Sequence, residues 1–231
     1  VSLRPSRAGW HDVRMSTGAA DTPHKVSGAT PKGERRRYAL ACAAADLLVE
    51  GGFDAVRHRA VATRAGLPLA STTYYFESLD DLIACAVELL GNRELEVMRG
   101  RIDELGDLAH DVEPTVDLIV DLLIGPEDDV DDGRERLIAR YERFIASARR
   151  PQLREVQSRL RAQIDDLLTD VLRRSGRIVE EQQLRRLVAV VDGAVVGALG
   201  EVEPEPRTMA RSMLMEGQGG SGSTRDKSCL R

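Results

Sequence analysis

Cysteines and aromatic residues are scarce in this sequence of 231 residues. The three cysteines are Cys42, Cys85 and Cys229, and neither their number nor their spacing fits a disulfide framework or a metal site. Cys42 and Cys85 lie in apolar helical patterns, where a thiol packs as a small apolar group. The sequence therefore excludes a small domain held together by disulfide bonds.

Long apolar runs are also missing. The most apolar stretch, from Leu187 to Leu199, is too short to cross a bilayer and contains Asp192. Residues 1–30 lack the apolar segment of a secretory signal peptide. We therefore expect a cytoplasmic protein, with Val1 and Met15 both open as the first residue.

Catalytic and cofactor motifs are absent from the sequence. The histidines, His11, His24, His58 and His110, show no metal-ligand spacing. There is no phosphate-binding P-loop, no Gly-x-Ser-x-Gly turn and no Gly-x-Gly-x-x-Gly after a strand. We predict no cofactor, no metal and no enzymatic activity, and we keep an all-helical enzyme as a distant alternative.

Charge is unevenly distributed along the chain, whose formal net charge is -5. Residues 1–80 hold 11 Lys/Arg against 8 Asp/Glu, a net of +3, whereas residues 81–231 hold 22 against 30, a net of -8. A basic N-terminal part on an acidic body is typical of a protein that meets phosphate groups at one end.

The stretch from Arg57 to Leu82 has the pattern of a helix-turn-helix. Apolar residues share one face of a first short helix, and Gly66 can adopt the left-handed conformation that ends it. Pro68 fits just before the first turn of the next helix, from Leu69 to Phe76, which is short and polar. The second helix of such a unit can enter the major groove of DNA.

Basic residues lie before and at the start of the first predicted helix, which runs from Gly33 to Glu50. They are Lys25, Lys32, Arg35, Arg36 and Arg37. Two interpretations stay open: an arm that reaches phosphates or the minor groove, and a solvated basic tail.

The segment GGFDAVRHRAVATRAGLPLASTTYYFESLDDLIACAVE resembles the DNA-binding domain of the TetR family of transcriptional regulators. The shared features are the Gly-Phe-Asp-Ala link, the turn at Ala65-Gly66, the Tyr74-Tyr75-Phe76 close and the Ser-x-x-Asp-Leu start of the next helix. The resemblance covers about residues 33–90. The rest of the chain agrees in length and helical character.

The resemblance implies roles for single residues. Groove and DNA contacts are expected from Arg36, Arg37, Arg59, Leu69, Ala70, Ser71, Thr73, Tyr74 and Tyr75. Tyr75 takes the phosphate contact and Phe76 the core position, whereas for Tyr74 a phosphate contact and packing both stay open. Leu79 replaces the lysine that usually contacts a phosphate at the start of the fourth helix.

The body is predicted to be helical throughout. Ser78 begins one long connecting helix with a capping-box-like start, and further helices are predicted from Asp111, over 137–150, from Pro151 to Arg174 and from Glu180 to Gly200. The last of these is apolar nearly all round, so we expect it to be buried on most sides.

The resemblance also implies a homodimer and a small-molecule effector. The dimer interface is expected at Leu160, Ile164, Leu167, Val188, Val191 and Val195, with an ordinary monomer core as the alternative. The effector is expected in the body, where Tyr141 and Phe144 are candidate contacts that could equally be core residues.

The sequence thus predicts an all-α protein in four parts. They are a disordered extension (1–30), a three-helix helix-turn-helix DNA-binding domain (31–80), a helical ligand-binding and dimerisation domain (81–216) and a flexible tail (217–231). We expect a TetR-like repressor that a small molecule releases from a palindromic double-stranded DNA operator. Activation of transcription, and a helical ligand-binding or scaffold protein without DNA binding, stay open.

Overall fold

The computed structural model describes residues 30–104, 112–125, 130–201 and 205–219, and their regular structure is helical. The helices are α1 (Pro31–Ala55), α2 (His58–Ala65), α3 (Ala70–Tyr75), α4 (Leu79–Glu104), α5 (Val112–Leu123), α6 (Val130–Ser147), α7 (Pro151–Arg174), α8 (Glu181–Gly200) and α9 (Pro206–Gly219). The prediction of an all-α fold is confirmed. The predicted disorder of residues 1–29 lies outside the described residues.

Helix α1 begins at a capped N-terminus and kinks near its end. The Thr30 hydroxyl accepts a hydrogen bond from the Gly33 amide at 3.3 Å, which satisfies one amide of the first turn. Gly51 and Gly52 leave the helical conformation, and Gly52 has φ +62°, which an L side chain rarely adopts. The sequence predicted the end of the first helix here. One more turn carries Phe53, after which Val56 is fully buried.

The head consists of α1, α2 and α3 around a small apolar core. Val56, Val61 and Phe76 are buried there against the alanine-rich face of α1. Small side chains on that face allow helices to approach closely. Two ends of the head, Phe53 and the start of α4, face the body.

Helix α4 runs without a break from the head into the body, as the sequence predicted. Its 26 residues pack against α1 at one end and against α7 further along. A Cβ placed on Gly91 would lie 2.2 Å from Cδ1 of Leu160 in α7. Glycine at this position is therefore what lets the two helices pack at this distance.

Helix α5 is the most buried helix of the body, and arginines from three other helices meet its C-terminal end. Arg101 of α4 donates to the Asp121 carbonyl at 2.9 Å, and Arg207 of α9 donates to the Gly125 carbonyl at 2.7 Å. Arg140 of α6 donates to the Leu123 carbonyl. These bonds satisfy carbonyl groups that a helix end leaves without partners, and positive charge there complements the helix dipole.

Helices α8 and α9 form the outer layer of the body. The sequence did not predict α9 as a separate helix, yet it packs along α8 and against α5 with Ala210 and Leu214 buried. Val190 and Val196 of α8 are exposed, so the prediction that this helix is buried on most sides is wrong for the single chain. No helix in the described parts of the chain is long and apolar enough to span a membrane.

Candidate DNA-reading head and effector sites

The turn between α2 and α3 fixes the angle of the candidate reading helix. Gly66 has φ +64°, as predicted, and its amide donates to the Thr63 carbonyl at 3.2 Å, while the Leu67 amide donates to the Ala62 carbonyl at 3.0 Å. This pair of bonds is the usual closure of a helix that ends at a left-handed glycine. In α3, Thr72 is fully buried and its hydroxyl donates to the Leu69 carbonyl at 2.8 Å. Helix α3 is therefore anchored on its inner face by a polar residue with a satisfied hydroxyl.

The outer face of α3 is open to solvent. Leu69, Ala70, Thr73 and Tyr74 are exposed, and Ser71 is half-buried. Tyr74 is the most open of them, with 81% of its surface accessible. The predicted groove-facing residues therefore lie together on one short helix and at its N-terminus. Most of their side chains are accessible to a partner that binds this face.

The two tyrosines of α3 have different surroundings. The rings of Tyr74 and Tyr75 meet edge to face, with centroids 4.8 Å apart. Tyr75 packs against the apolar core of the head, and its hydroxyl lies 3.8 Å from the position of a Cβ on Gly33. The phosphate contact of Tyr75, and the choice between a phosphate contact and packing for Tyr74, stay predictions. The Tyr75 ring is partly buried by packing, whereas the Tyr74 side chain is exposed.

The predicted arginines also differ in their surroundings. Arg36, Arg37 and Arg59 are all exposed at the surface of the head. The guanidinium of Arg37 lies 5.1 Å from the centroid of Phe76, and its Nη2 lies 3.1 Å from Sγ of Cys85. Burial raises the pKa of the Cys85 thiol, so the sulfur stays neutral beside the cation. The Arg37 guanidinium thus contacts the Phe76 ring while its side chain stays exposed, and its contact with DNA stays a prediction.

A bidentate ion pair holds α2 against α1. Nη1 of Arg64 lies 3.0 Å from Oε1 of Glu50, and its Nη2 lies 2.6 Å from Oε2. The hydrogen bond to Glu50 raises the pKa of Arg64 above its ordinary value. Two parallel hydrogen bonds give this pair a defined geometry, which helps to orient the helix that carries Arg59.

The start of α4 has the predicted cap and no basic side chain. The Ser78 hydroxyl accepts from the Asp81 amide at 3.1 Å, while the Asp81 carboxylate accepts from the Glu77 amide at 3.2 Å. A true capping box would use the amide of Ser78 itself. Leu79 packs partly against the apolar core, so this edge of the head presents acidic side chains where the family usually has lysine.

Arg150 connects the head to the body. It precedes α7, and its guanidinium lies 4.6 Å from the centroid of the Phe53 ring in the head. Its Nη1 lies 3.7 Å from Oδ1 of Asp80 at the start of α4. Close by, a Cβ on Gly52 would lie 3.3 Å from the Glu142 carboxylate of α6. Helix α6 and the turn between α6 and α7 therefore provide a contact between the body and the head besides the continuous helix α4.

Tyr141 and Phe144 do not form a common pocket. The Tyr141 hydroxyl donates to Oδ1 of Asp192 in α8 at 2.9 Å, and burial, followed by the Asp192 charge, raises its pKa well above the ordinary value. Nη1 of Arg161 lies 3.7 Å from the other oxygen of Asp192. Phe144 is 50% exposed. Tyr141 therefore links α6 to α8 through its hydrogen bond to Asp192, and Phe144 is not part of that link.

A small cleft lies where α5, α7, α8 and α9 meet. It has a volume of about 20 Å³. Its lining residues are Val112, Thr115, Val116, Ile119, Leu172, Arg177, Leu187 and Leu214. Sequence reasoning missed this cleft because one of its walls is α9, which the periodicity did not resolve as a helix.

The six predicted interface residues lie inward in the single chain. Leu160, Val188, Val191 and Val195 are buried within the protomer, while Ile164 and Leu167 are half-buried against its core. A side chain that is already buried has little surface left to offer a second copy. The burial of the four positions favours the alternative assignment to the protomer core, and their place in a dimer interface stays a prediction. No group of residues that could hold a metal ion occurs among the described residues.

Comparison with known proteins agrees with this architecture. Residues 110–216 match the family model of the tetracyclin repressor-like C-terminal domain. The multidrug binding protein EbrR, solved as a complex with proflavin, is 28% identical, with 78% of this chain and 98% of that chain covered and a TM-score of 0.62. A TetR family member from Streptomyces coelicolor A3 is also 28% identical, with 78% and 96% covered and a TM-score of 0.54.

A TetR transcription regulator from Haloarcula marismortui shares the fold at 20% identity, with 79% of this chain and 96% of that chain covered and a TM-score of 0.61. No curated protein sequence matches the chain significantly. A helix-turn-helix head on an all-helical body defines the class of DNA-binding transcriptional regulators. Within that class, the C-terminal domain match and the solved relatives support a TetR family regulator.

Proposed function

We propose that this protein is a homodimeric transcriptional repressor that binds a palindromic operator and leaves it when a small molecule binds the body. The observation that carries the proposal is the outer face of α3. Ala70, Thr73 and Tyr74 are exposed there, while Thr72 and the turn at Gly66 fix the helix from behind. A rigid helix with a free outer face is what insertion into a major groove needs.

The proposed reading surface consists of Arg59, Leu69, Ala70, Ser71, Thr73 and Tyr74. Arg59 supplies the strongest base donor, because an arginine can bind guanine through two hydrogen bonds. The short apolar side chains at the start of α3 fit thymine methyl groups and groove shape. Arg36, near the N-terminus of α1, adds attraction for phosphate groups. Leu79 is uncharged, so the start of α4 lacks such attraction.

Dimerisation is proposed through the exposed face of α8 together with α9. Val190 and Val196 are exposed on α8, and Met213 is exposed on α9. Gly193 lies between the two valines and Gly197 follows Val196, and a Cβ at either glycine would meet nothing within 4 Å. This face offers an apolar, close-approach surface to a second copy. Two heads are needed because half-sites lie about one helical turn apart in such operators.

Effector binding in the body is supported by the structural relatives. EbrR was solved in complexes with proflavin, ethidium and malachite green. The body of this chain has a related fold, and it connects the proposed dimerisation face on α8 and α9 with the head. This arrangement suits a regulator that a ligand controls. We expect it to act in the cytoplasm and to have no enzymatic activity.

A second candidate function is a helical ligand-binding protein that has lost DNA binding. Leu79 and the acidic residues around it favour this reading, since they remove a phosphate anchor and place negative charge beside the DNA. Activation of transcription in place of repression is compatible with the same reading surface.

The decisive experiment is capture of genomic DNA fragments by the purified protein, followed by footprinting. We expect a palindromic site, and we expect Thr73→Ala and Tyr74→Phe to weaken binding while thermal stability stays unchanged. Thr169→Ala, on an exposed position of α7, is the matched control. Tyr75→Phe should weaken binding less than Tyr74→Phe. If no fragment is captured, the protein without DNA binding becomes the better description.

A further inference from the structure

The cleft between α5, α7, α8 and α9 is apolar apart from a single cation. Six of its eight lining residues are Val, Leu or Ile, and Thr115, which is buried, adds a methyl group. Arg177 is the one charged residue in the described lining. An apolar cavity with few fixed polar groups is the common form of a small-molecule site.

Arg177 is held at the cleft by the turn that ends α7. Its amide donates to the Leu172 carbonyl at 2.8 Å, and the Gly176 amide donates to the Arg173 carbonyl at 3.0 Å, with Gly176 at φ +72°. The Nε atom of Arg177 is buried. A guanidinium has five N–H donors, so it can keep a protein partner and still bind an anion.

We propose that this cleft binds an amphipathic anion, a carboxylate on a flexible aliphatic chain, as the effector of the regulator. Arg177 binds the carboxylate, and the Val, Leu and Ile side chains pack around the chain. This inference rests on the proposed function, because it names the chemical class of the small molecule that the body binds.

Charge and shape separate this ligand class from the dyes bound by the relative EbrR. Proflavin and ethidium are flat aromatic cations. In the described part of the lining there is no carboxylate to pair with a cation and no aromatic ring to stack on it. A cation placed beside Arg177 would be repelled in a medium where charges are poorly screened.

The cleft must widen to admit the ligand, and α9 is the wall that can yield. A volume of about 20 Å³ holds little more than one water molecule. Leu214 places α9 in the lining. Helix α9 is tied to α5 by the ion pair between Arg211 and Asp117, at 2.6 Å, and near its start by Arg207, which pairs with Asp121 and donates to the Gly125 carbonyl. The Arg211 pair is half-exposed and contributes little to stability, so the part of α9 that carries Leu214 can move while Arg207 holds its start. Because α9 also borders the proposed dimer face, its displacement would carry the signal of binding to the partner copy.

The test is isothermal titration of the full protein, without DNA, with sodium decanoate below its micelle concentration. Decan-1-ol, decylamine and proflavin are titrated in parallel. We expect decanoate to bind more tightly than the other three. Arg177→Gln, which removes the charge and keeps hydrogen-bond donors, should weaken decanoate binding roughly ten- to hundredfold. Arg186→Gln, an exposed arginine of α8, is the matched control and should bind as the unchanged protein does.

Three results would overturn the proposal. They are no decanoate binding at millimolar concentration, decanoate binding that Arg177→Gln leaves unchanged in a folded protein, and tighter binding of decylamine or proflavin. Circular dichroism of each variant shows whether it is folded, and Leu187→Gln provides a second variant in the same cleft. Capture of genomic DNA tests the proposed function separately, so a failure of either proposal can be recognised without the other.

Discussion

The guanidinium of Arg150 stacks on the ring of Phe53, with 4.6 Å between the guanidinium carbon and the ring centroid. Arg150 belongs to the turn that leads into α7, whereas Phe53 ends the kinked helix of the head. The same guanidinium lies 3.7 Å from Asp80, at the start of α4. One side chain of the body thus contacts both the end of α1 and the beginning of α4.

We predict that Arg150→Ala lowers the free energy of unfolding by about 1 kcal/mol, because it removes a cation–π contact and an ion pair at the edge of the head. Urea unfolding at a fixed protein concentration measures the change. Arg150→Lys keeps the charge near Asp80 but loses the planar stacking on Phe53. If Arg150→Lys is as stable as the unchanged protein, stacking contributes nothing here.

We predict that Gly91→Ala lowers the free energy of unfolding by about 1–3 kcal/mol, because its Cβ would overlap the buried Leu160 side chain. Gly100→Ala is the matched control in the same helix, since a Cβ there meets nothing within 4 Å. That substitution should stabilise by about 0.5–1 kcal/mol through helix propensity alone. Equal effects of the two substitutions would show that α4 and α7 do not meet at Gly91.

We predict that Tyr141→Phe lowers the free energy of unfolding by about 1–2 kcal/mol at pH 7, because Asp192 loses a hydrogen bond. The difference should shrink above pH 10. The pKa of Tyr141 is higher in the folded chain than its ordinary value of about 10, so above that pH the folded chain holds more protons than the unfolded one. The free energy of unfolding of the unchanged protein therefore decreases as the pH rises in this range. Tyr141→Phe lacks the titrating hydroxyl, so its free energy of unfolding does not show this decrease. Unfolding curves at pH 7, 9 and 10.5 measure it, and a difference that does not change with pH would place the Tyr141 hydroxyl in water.

We predict that substituting two neighbouring arginines of α1 changes two different properties, DNA affinity for Arg36 and stability for Arg37. Arg36→Ala should reduce the slope of log affinity for DNA against log salt by about 1 and leave stability unchanged, because Arg36 is exposed. Arg37→Ala should lower the free energy of unfolding by about 0.5–1 kcal/mol, because it removes the guanidinium from Phe76. Fluorescence anisotropy at several salt concentrations and urea unfolding separate the two. If Arg37→Ala changes the salt slope more than Arg36→Ala does, Arg37 belongs to the surface that contacts DNA.

If the protein forms the proposed dimer, we predict that Val196→Glu makes it a monomer, because the substitution would bury a charge in the proposed α8 interface of each copy. Sedimentation equilibrium measures the mass. Ile178→Glu is the control, since Ile178 is 96% exposed in the turn before α8 and lies outside the proposed interface. A dimer that survives Val196→Glu would exclude this face as the interface.

The head could be predicted from the sequence because its signals are local. Gly66 ends α2 with the expected left-handed conformation, and Ser78 caps α4 as its spacing indicated. Both features depend on backbone geometry within four residues. The bounds of α7 followed from apolar periodicity for the same reason.

The surroundings of single side chains could not be predicted in the same way. Periodicity places Val188, Val191 and Val195 on the apolar face of α8, but it does not tell whether other helices of the same chain or a second copy cover that face. The structure buries them within the chain. Tyr74 and Tyr75 are likewise adjacent in sequence, and only the packing of α1 against α3 decides which ring is free. Helix α9 itself has few large apolar residues, so its helical pattern was too weak to separate it from its neighbours.

Helix α4 links the two domains as one rigid element of 26 residues. At a rise of about 1.5 Å per residue it is roughly 39 Å long, so a tilt of about 5° at its body end displaces its head end by roughly 3 Å. A hydrogen bond to a base edge tolerates a donor–acceptor range of only about half an ångström. A rotation too small to disturb the packing of the body would therefore be enough to break every base contact that the head makes.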